Sequence, residues 1–244
     1  MSEPGMTELV SCILPTRNRV RFFQQALRRF LQQRYHNSEL IVVDDGEEPV
    51  EAYCRGLDRI RYIRLDQPTN TGTKLNIGAE AAHGPLLQKL DDDDYYGPDF
   101  LNMSVGKLAG EDRAGFLVAW DCFLVLLAGE RHLRYSGHGW RAGGTLGFTR
   151  ELWAKTPFRD VLRSSDRFFF EDARPRLIRV CEPEQYILVR HGRNTWTQMR
   201  GGLDADDFLR TLPRWPRGFA DILDGADQAF YEGLSPSCIS GGRS

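Results

Sequence analysis

Two clusters of aspartates could do chemistry, and each directly follows a short apolar segment. Asp91–Asp94 come after Leu86–Leu90, and Asp44–Asp45 come after Leu40–Val43. Ligands of open α/β sheets bind outside the carboxyl ends of the strands, so we expect both clusters to face one crevice. Carboxylates held that close together repel one another unless a divalent cation or hydrogen-bond donors neutralise them. The spacing therefore favours a site for a cation or ligand over the alternative, a pair of solvated acidic turns.

Two common loops for cations and phosphates do not fit this sequence. An EF-hand that began at Asp92 would carry Tyr96 at its fifth position and Met103 at its twelfth, where oxygen ligands are required. The G-x-x-x-x-G-K-[ST] phosphate loop is also missing. The cysteines form no C-x-x-C pair, so we expect no zinc site and expect all of them to be reduced. They are Cys12, Cys54, Cys122, Cys181 and Cys238.

The elements that position the aspartates alternate between strands and helices in the first half of the chain. Apolar residues at helical spacing from Val20 predict a helix with Thr16 or Asn18 as its N-cap, and a second helix is predicted at 73–82. A third helix begins at Gly97–Pro98. Short apolar runs predict strands at 9–14, 40–43, 59–65 and 86–90. This order predicts a mostly parallel central sheet with helices on both faces.

The second half of the chain reads as short strands joined by turns. A glycine-rich stretch at 138–147 is expected to form a loop that leads into a strand. The other strands are predicted at 115–120, 122–127, 131–135, 177–180 and 186–190. We therefore expect one α/β domain over residues 1–200, followed by a C-terminal helical segment and a flexible tail over 201–244.

Composition excludes several classes of protein. The 244 residues include 32 basic and 34 acidic side chains, a net charge of −2, which does not suggest a nucleic-acid binder. No apolar run approaches the ~20 residues that span a bilayer, so no integral membrane segment is expected. The N-terminus lacks the pattern of a signal peptide. The expected compartment is therefore the cytoplasm.

Six segments of the chain, from about Ser11 to Trp196, resemble family 2 glycosyltransferases of the GT-A fold. Each segment is a weak motif alone, but the six occur in the family's order. They are SCILPTRNR at 11–19, ELIVVDDG at 39–46, NTGTKLNIGAEAAHG at 70–84, LDDDDYYGPDFL at 90–101, GGTLGFTRELW at 143–153 and VRHGRNTW at 189–196.

The resemblance implies a nucleotide-diphospho-sugar donor, with a UDP-sugar expected, and Mn²⁺ or Mg²⁺ as cofactor. Asp91 and Asp93 resemble the family's D-x-D element, so Asp93 would coordinate the metal, with His191 as a further metal ligand. The remaining residues implied to bind the nucleotide sugar are Pro15, Thr16, Arg19, Asp44, Asp45, Lys74, Asp91 and Asp92. The acceptor, whether a glycan, a lipid, a protein or a small molecule, is not indicated.

The resemblance also implies an inverting transfer to an acceptor hydroxyl, of the hexosyltransferase type, with an aspartate as base. In relatives this aspartate follows a glutamate, and the matching pair here is Ser165–Asp166. We therefore expect Asp166 to be the base. The competing pair is Glu171–Asp172, six residues further on.

Two other functions remain open. A sugar-nucleotidyltransferase has a similar α/β core but needs a Gly- and Arg-rich phosphate loop, which PTRNR at 15–19 does not supply. A degenerate GT-A domain that binds nucleotide or glycan without turnover is favoured by the missing glutamate before Asp166.

Overall fold

A computed structural model of the protein describes residues 8–108, 113–137, 139–199 and 202–234. The strands are β1 (Val10–Thr16), β2 (Ser38–Asp44), β3 (Ile60–Arg64), β4 (Leu86–Lys89), β5 (Tyr95–Tyr96), β6 (Phe116–Leu127), β7 (Arg134–Ser136), β8 (Gly147–Thr149), β9 (Arg176–Cys181) and β10 (Tyr186–Arg190). The helices are α1 (Val20–Leu31), α2 (Glu51–Cys54), α3 (Thr71–Ala81), α4 (Phe100–Leu108), α5 (Arg150–Lys155), α6 (Ser165–Ala173), α7 (Ala205–Arg210) and α8 (Gly225–Glu232). A short 3₁₀ turn at Gly143–Thr145 precedes β8.

The strands form one continuous sheet in the order β3-β2-β1-β4-β8-β6-β10-β5, with β7 and β9 also paired to β6. The first four of these run parallel to one another, and β9 and β10 run parallel to β6. Strands β5, β7 and β8 are antiparallel to theirs. The predicted mixed α/β architecture with a mostly parallel sheet is therefore confirmed.

Both faces of the sheet are buried, as the near-continuous apolar strands require. Alternate residues of β2 point to opposite sides: Leu40 and Val42 belong to the core beneath α1 and α4, while Ile41 and Val43 belong to the core beneath α3, α5 and α6. Helix α3 packs closely on β1, and a Cβ at Gly78 would overlap the side chain of Ile13. Tight packing on both sides fixes the strand ends that carry the aspartates.

Strand β6 and the start of α1 differ from the sequence predictions. The two strands expected at 115–120 and 122–127 form the single strand β6. Asp121 does not end the strand, because it is buried at an irregularity in the pairing of β6 with β9. Arg179 of β9 donates to the Asp121 carboxylate over 3.2 Å, which makes that burial tolerable. Helix α1 has Arg19 as N-cap, with no capping side-chain hydrogen bond. The Asn18 side chain instead accepts from the backbone N–H of Glu47.

The prediction that every cysteine is reduced is wrong for Cys122 and Cys181. Strands β6 and β9 are hydrogen-bonded neighbours that bring the two residues together, and they form a disulfide. The sequence offered no sign of this pair, since the two cysteines are 59 residues apart. Cys12 and Cys54 are free and buried, and Cys238 lies outside the described residues. Disulfides are uncommon in cytosolic proteins, and the cytoplasmic location stays a prediction.

Along the described parts of the chain, no helix is long and apolar enough to cross a membrane. Residues 203–234 form α7, a 3₁₀ turn and α8, which pack against the sheet domain. The predicted flexible tail falls at 235–244, outside the described residues.

Candidate active site

The strand order brings the two aspartate clusters to one edge of the sheet. Strand β1 lies between β2 and β4 and is parallel to both, with Thr16 in register with Asp44. The carboxyl ends of these strands therefore open onto the same crevice, as expected for an open α/β sheet. The hydroxyl of Thr16 donates to Asp92 over 2.7 Å, which joins the end of β1 to the loop after β4. Pro15, the next residue back in β1, is half-buried.

Arg19 neutralises the middle of the acidic run. Its guanidinium donates to Asp92 over 2.8 Å and to Asp93 over 3.0 Å. It also donates to the backbone carbonyl of Arg193, in the loop after β10. Burial raises the pKa of Asp92, although the Arg19 charge opposes that shift. One arginine thus holds three segments of the crevice together.

Asp93 and His191 meet in the candidate metal position. The His191 Nε2 atom lies 2.8 Å from Asp93 Oδ2, which also accepts from the Asn194 side chain over 3.1 Å. Burial disfavours the ionised form of Asp93, but His191 and Arg19 outweigh it, so the pKa of this carboxyl lies below its usual value. The Nδ1 atom of His191 is buried and has no hydrogen-bond partner among the described residues.

The donor set around Asp93 fits a cation that shares its ligands with a substrate. Within the ranges that the structure describes, no group of three or more His, Cys, Asp or Glu side chains could hold a metal ion by itself. Mg²⁺ usually binds through one or two carboxylates plus substrate phosphates and water. One carboxylate beside one imidazole matches that open arrangement. A closed structural site would take all of its ligands from the protein.

Asp94 ties the acidic run to β10 and does not point to a ligand. Its carboxylate accepts from the Tyr186 hydroxyl over 2.5 Å and from the Val189 backbone N–H over 2.9 Å. Burial and the adjacent carboxylates of Asp93 and Asp91 raise the pKa of Asp94 well above its usual value. Its contacts make Asp94 a support for the loop.

Asp44 and Asp45 both face the interior. Asp44 has no exposed surface, and its carboxylate accepts from the backbone N–H groups of Gly46 and Val50 and from the Tyr62 hydroxyl. These three bonds close the turn after β2. The sequence prediction that Asp44 binds the nucleotide is untested, but these contacts already satisfy its oxygens.

Asp45 forms a buried ion pair with Lys74 of α3. The two charged groups are 2.5 Å apart, and the Lys74 ammonium also donates to the Thr16 carbonyl over 3.1 Å. The second carboxylate oxygen accepts from the Thr69 backbone N–H over 2.7 Å. Lys74 therefore connects α3, β1 and the loop after β2 at the crevice edge.

Asp166 lies at the Gly143–Gly144 turn, which two members of the acidic run also approach. It occupies the first turn of α6, and its carboxylate packs so closely on Gly143 that a Cβ there would overlap it. A Cβ at the adjacent Gly144 would lie only 2.8 Å from carboxylate oxygens of Asp91 and of Asp94. Two consecutive glycines thus let Asp166 and Asp91 approach the same turn.

The competing aspartate is engaged elsewhere. Arg159 donates to both oxygens of Asp172, over 2.6 and 2.5 Å. Six residues correspond to more than one and a half helical turns, so Asp172 lies on a different face of α6 from Asp166. Of the two, the structure brings Asp166 to the crevice.

The sequence model of glycosyl transferase family 2 matches residues 11–160, more than half of the chain. The chain belongs to this family. The matched range contains all of β1 except Val10, the acidic run and the Gly143–Thr145 turn, whereas α6 and His191 lie beyond it.

Curated relatives in the family are similar over part of their length. An uncharacterised glycosyltransferase of Haemophilus influenzae is 36% identical over 98 residues, which cover 38% of this chain and 39% of the relative. The putative colanic acid biosynthesis glycosyl transferase WcaA of Escherichia coli is 33% identical over 118 residues, or 46% of this chain and 42% of the relative. The chain thus spans about two-fifths of the length of these relatives.

Solved structures of similar fold include two nucleotide-sugar complexes. One is the mannosyltransferase PcManGT from Pyrobaculum calidifontis with GDP-Man and Mn²⁺, with a TM-score of 0.59 and 18% identity over 82% of this chain and 60% of that one. The other is S. aureus TarS 1–349 with UDP-GlcNAc, with a TM-score of 0.58 and 16% identity over 76% of this chain and 60% of that one. At such low identity the likeness establishes the fold, which is of the GT-A type.

Sequence reasoning missed two side chains of this family 2 site. Lys89 lies at the end of β4 and donates to Asp91 over 2.5 Å, and Tyr186 of β10 holds Asp94. The signal for Lys89 was present, because it is the one charged residue in LLQK and one of four lysines in the chain. Tyr186 gave no signal, since it is 92 residues away from its partner.

Proposed function

We propose that this family 2 protein transfers a sugar from a nucleotide-diphospho-sugar to an acceptor hydroxyl, with inversion at the anomeric carbon. The observation that carries the proposal is the approach of Asp166 and Asp91 to the same Gly143–Gly144 turn. This arrangement offers a carboxylate for the acceptor beside the polar groups that are proposed to bind the donor. The nucleotide sugars bound by the PcManGT and TarS structures agree with a donor of this class.

In the proposed reaction the acceptor oxygen forms a bond to the anomeric carbon from one side. The bond between that carbon and the diphosphate oxygen breaks on the other side, and its electron pair leaves with the nucleoside diphosphate. The proton of the acceptor hydroxyl passes to a carboxylate oxygen of Asp166. Because attack and departure occur on opposite faces, the configuration inverts. Asp166 is proposed for this role because a carboxylate within hydrogen-bond reach of the reacting hydroxyl is a competent general base.

The residues proposed for the donor line the ends of β1, β2 and β4. Arg19 and Lys74 supply positive charge beside the diphosphate and the nucleoside, and Thr16 and Asp92 shape the loop between them. Asp91 is proposed to lie next to the ribose. Both carboxylate oxygens of Asp45 already accept hydrogen bonds, from Lys74 and from the Thr69 backbone N–H. Asp45 is therefore proposed to act on the nucleotide indirectly, by holding Lys74 and the Thr69 backbone in place.

Asp93 and His191 would hold Mn²⁺ or Mg²⁺ together with oxygens of the diphosphate. When bound, such an ion neutralises the charge that develops on the departing group. In the chain itself, Asn194 and Arg19 orient Asp93 through the hydrogen bonds described above.

The test compares two aspartates of the same helix in a screen of UDP- and GDP-sugars with Mn²⁺. Asp166→Asn keeps the shape of the side chain but removes its basicity, so kcat should fall by about 10²–10⁴-fold, the usual contribution of a general base. Donor affinity should barely change, because the base contacts the acceptor. Asp172→Asn is the matched control and should keep full turnover.

Two outcomes contradict the proposal. If Asp172→Asn loses turnover and Asp166→Asn does not, the base lies six residues later on α6. If the wild-type chain binds nucleotide sugars yet neither transfers nor hydrolyses them, the protein is a degenerate binder, the alternative that Ser165 in place of a glutamate favours.

A further inference from the structure

Lys89 is a buried cation at the end of an otherwise uncharged strand. The residue is 5% exposed, and its ammonium donates to Asp91 Oδ1 over 2.5 Å. Strand β4 pairs with β1 on one side and with β8 on the other, so the Lys89 backbone is fixed within the sheet. The side chain therefore has little freedom to reach solvent.

Two further carboxylates, Asp166 and Asp94, lie near the Lys89–Asp91 pair. The Gly143–Gly144 turn is in contact with Asp166 on one side and with Asp91 and Asp94 on the other. Asp91 is in direct contact with the ammonium, and Asp166 and Asp94 at the neighbouring turn are close enough to attract it. Burial alone would lower the pKa of Lys89, but these attractions outweigh it, so the pKa lies above its usual value and the group stays charged.

The fold of β4 does not need a charge at this position. Burying a lysine ammonium carries a large desolvation penalty, and an apolar side chain of similar length would fill the same space without it. Arg19 cannot replace it, because its guanidinium is held on Asp92 and Asp93 at the other end of the acidic run. The charge of Lys89 thus serves the carboxylates around it.

We infer that Lys89 is a positioning residue that holds the donor-side carboxylate Asp91 and the base Asp166 close together across the Gly143–Gly144 turn. The inference rests on the proposed function, in which Asp166 accepts the acceptor proton. Without the ammonium, the partly buried carboxylates of Asp91 and Asp166 repel one another with no cation between them. Asp166 then moves away from the acceptor hydroxyl, and turnover falls although Asp166 itself is present.

The experiment is a double-mutant cycle between Lys89 and Asp166, read as kcat for transfer or hydrolysis of the nucleotide sugar found in the donor screen. Lys89→Met should lower kcat at least about tenfold, up to the 10²–10⁴-fold effect of the base itself. Lys89→Arg keeps the charge and should recover most of that loss. In the Asp166→Asn background, Lys89→Met should change kcat less than about twofold, because coupled residues are not additive.

Lys107→Met, an exposed lysine on α4, is the matched control and should keep wild-type kcat. Circular dichroism reports whether each variant folds, and Lys89→Gln replaces Lys89→Met if the latter does not. The inference is overturned if Lys89→Met keeps wild-type kcat, if Lys89→Arg is as impaired as Lys89→Met, or if the loss is the same in both Asp166 backgrounds. If Asp166→Asn alone keeps wild-type kcat, Asp166 is not the base, and both the proposed function and this inference fail. The other contradicting outcomes overturn the inference but leave Asp166 as the proposed base.

Discussion

A single oxygen of Asp93 accepts hydrogen bonds from Arg19, His191 and Asn194. Neutral and cationic donors converge on it because the crevice carries more carboxylates than the fold can leave uncompensated. In the proposed function, a bound dication would take over the role that these donors fill in the free chain.

At the scale of this residue we predict that Asp93→Ala removes Mn²⁺-dependent binding of a nucleoside diphosphate. The loss of a direct ligand should weaken Mn²⁺ binding by at least the roughly 10–100-fold that removal of an outer-shell partner costs. Electron paramagnetic resonance of free Mn²⁺, titrated with protein and UDP or GDP, measures this directly.

Asp99→Ala is the control for that titration. Asp99 pairs with Arg34 on the surface, away from the crevice, so its removal should leave Mn²⁺ affinity unchanged. Equal Mn²⁺ affinity in Asp93→Ala and the wild-type chain would show that the ion binds elsewhere.

The aspartate runs could be recognised from sequence, but the separate roles of their members could not. Position after an apolar strand predicts that Asp91–Asp94 reach one crevice, and the parallel β1–β4 order bears that out. Apart from the nearby Lys89, their partners are 73 to 101 residues away, from Arg19 to Asn194, and only the folded chain brings them together. Burial of Asp44 is likewise a tertiary property, because an acidic turn can face either solvent or core.

The elements were predictable where local patterns are strong. Strands β1–β4 and helices α1 and α3 follow from apolar runs and helical spacing, which are local signals. Strand β5 has two residues, too few for any pattern, and β6 continues through a charged residue that tertiary pairing satisfies. The disulfide between β6 and β9 depends on strand register, which no local signal carries.

The Gly143–Thr145 turn gives a prediction at the scale of an element. In Gly144→Ala the new methyl group would lie 2.7–2.8 Å from three oxygens, those of Tyr186, Asp91 and Asp94. Overpacking of this kind costs about 1–3 kcal/mol of the free energy of unfolding, and the displaced carboxylates should lower kcat as well. Urea unfolding measures the first effect and the donor assay the second.

Gly106→Ala is the matched control and should change the free energy of unfolding in the opposite direction. Gly106 lies in α4, and a Cβ there meets no atom within 4 Å. Alanine is favoured over glycine inside a helix by about 0.5–1 kcal/mol, so this variant should be more stable than the wild-type chain. If Gly144→Ala were stabilised to the same extent, the turn would not be the close approach described here.

At the scale of the whole molecule, the C-terminal helix is joined to the first helix through a buried charge cluster. Asp227 of α8 has no exposed surface, and its carboxylate accepts from Gln25 over 2.6 Å, from Arg29 over 2.9 Å and from Arg28. The next turn of α8 carries Tyr231, whose hydroxyl donates to the Asp94 carbonyl over 3.4 Å. A segment that the sequence marked only as a separate C-terminal appendage thus supports the loop of the acidic run.

This joint predicts how the full chain unfolds. Asp227→Ala removes the nearer of the two counter-charges of Arg29, whose side chain is 4% exposed, and leaves only Asp224 at 3.7 Å; breaking a buried ion pair of this kind costs about 3–5 kcal/mol. Asp224→Ala, the control, removes the N-cap of α8 and a half-exposed carboxylate, so it should cost only about 0.5–2 kcal/mol. Urea unfolding followed by tryptophan fluorescence and circular dichroism should show Asp227→Ala shifting the whole transition to lower urea, with both probes coincident. A separate early transition in Asp227→Ala, with the main midpoint unchanged, would instead show that residues 203–234 unfold as an independent unit and lend the sheet domain no stability.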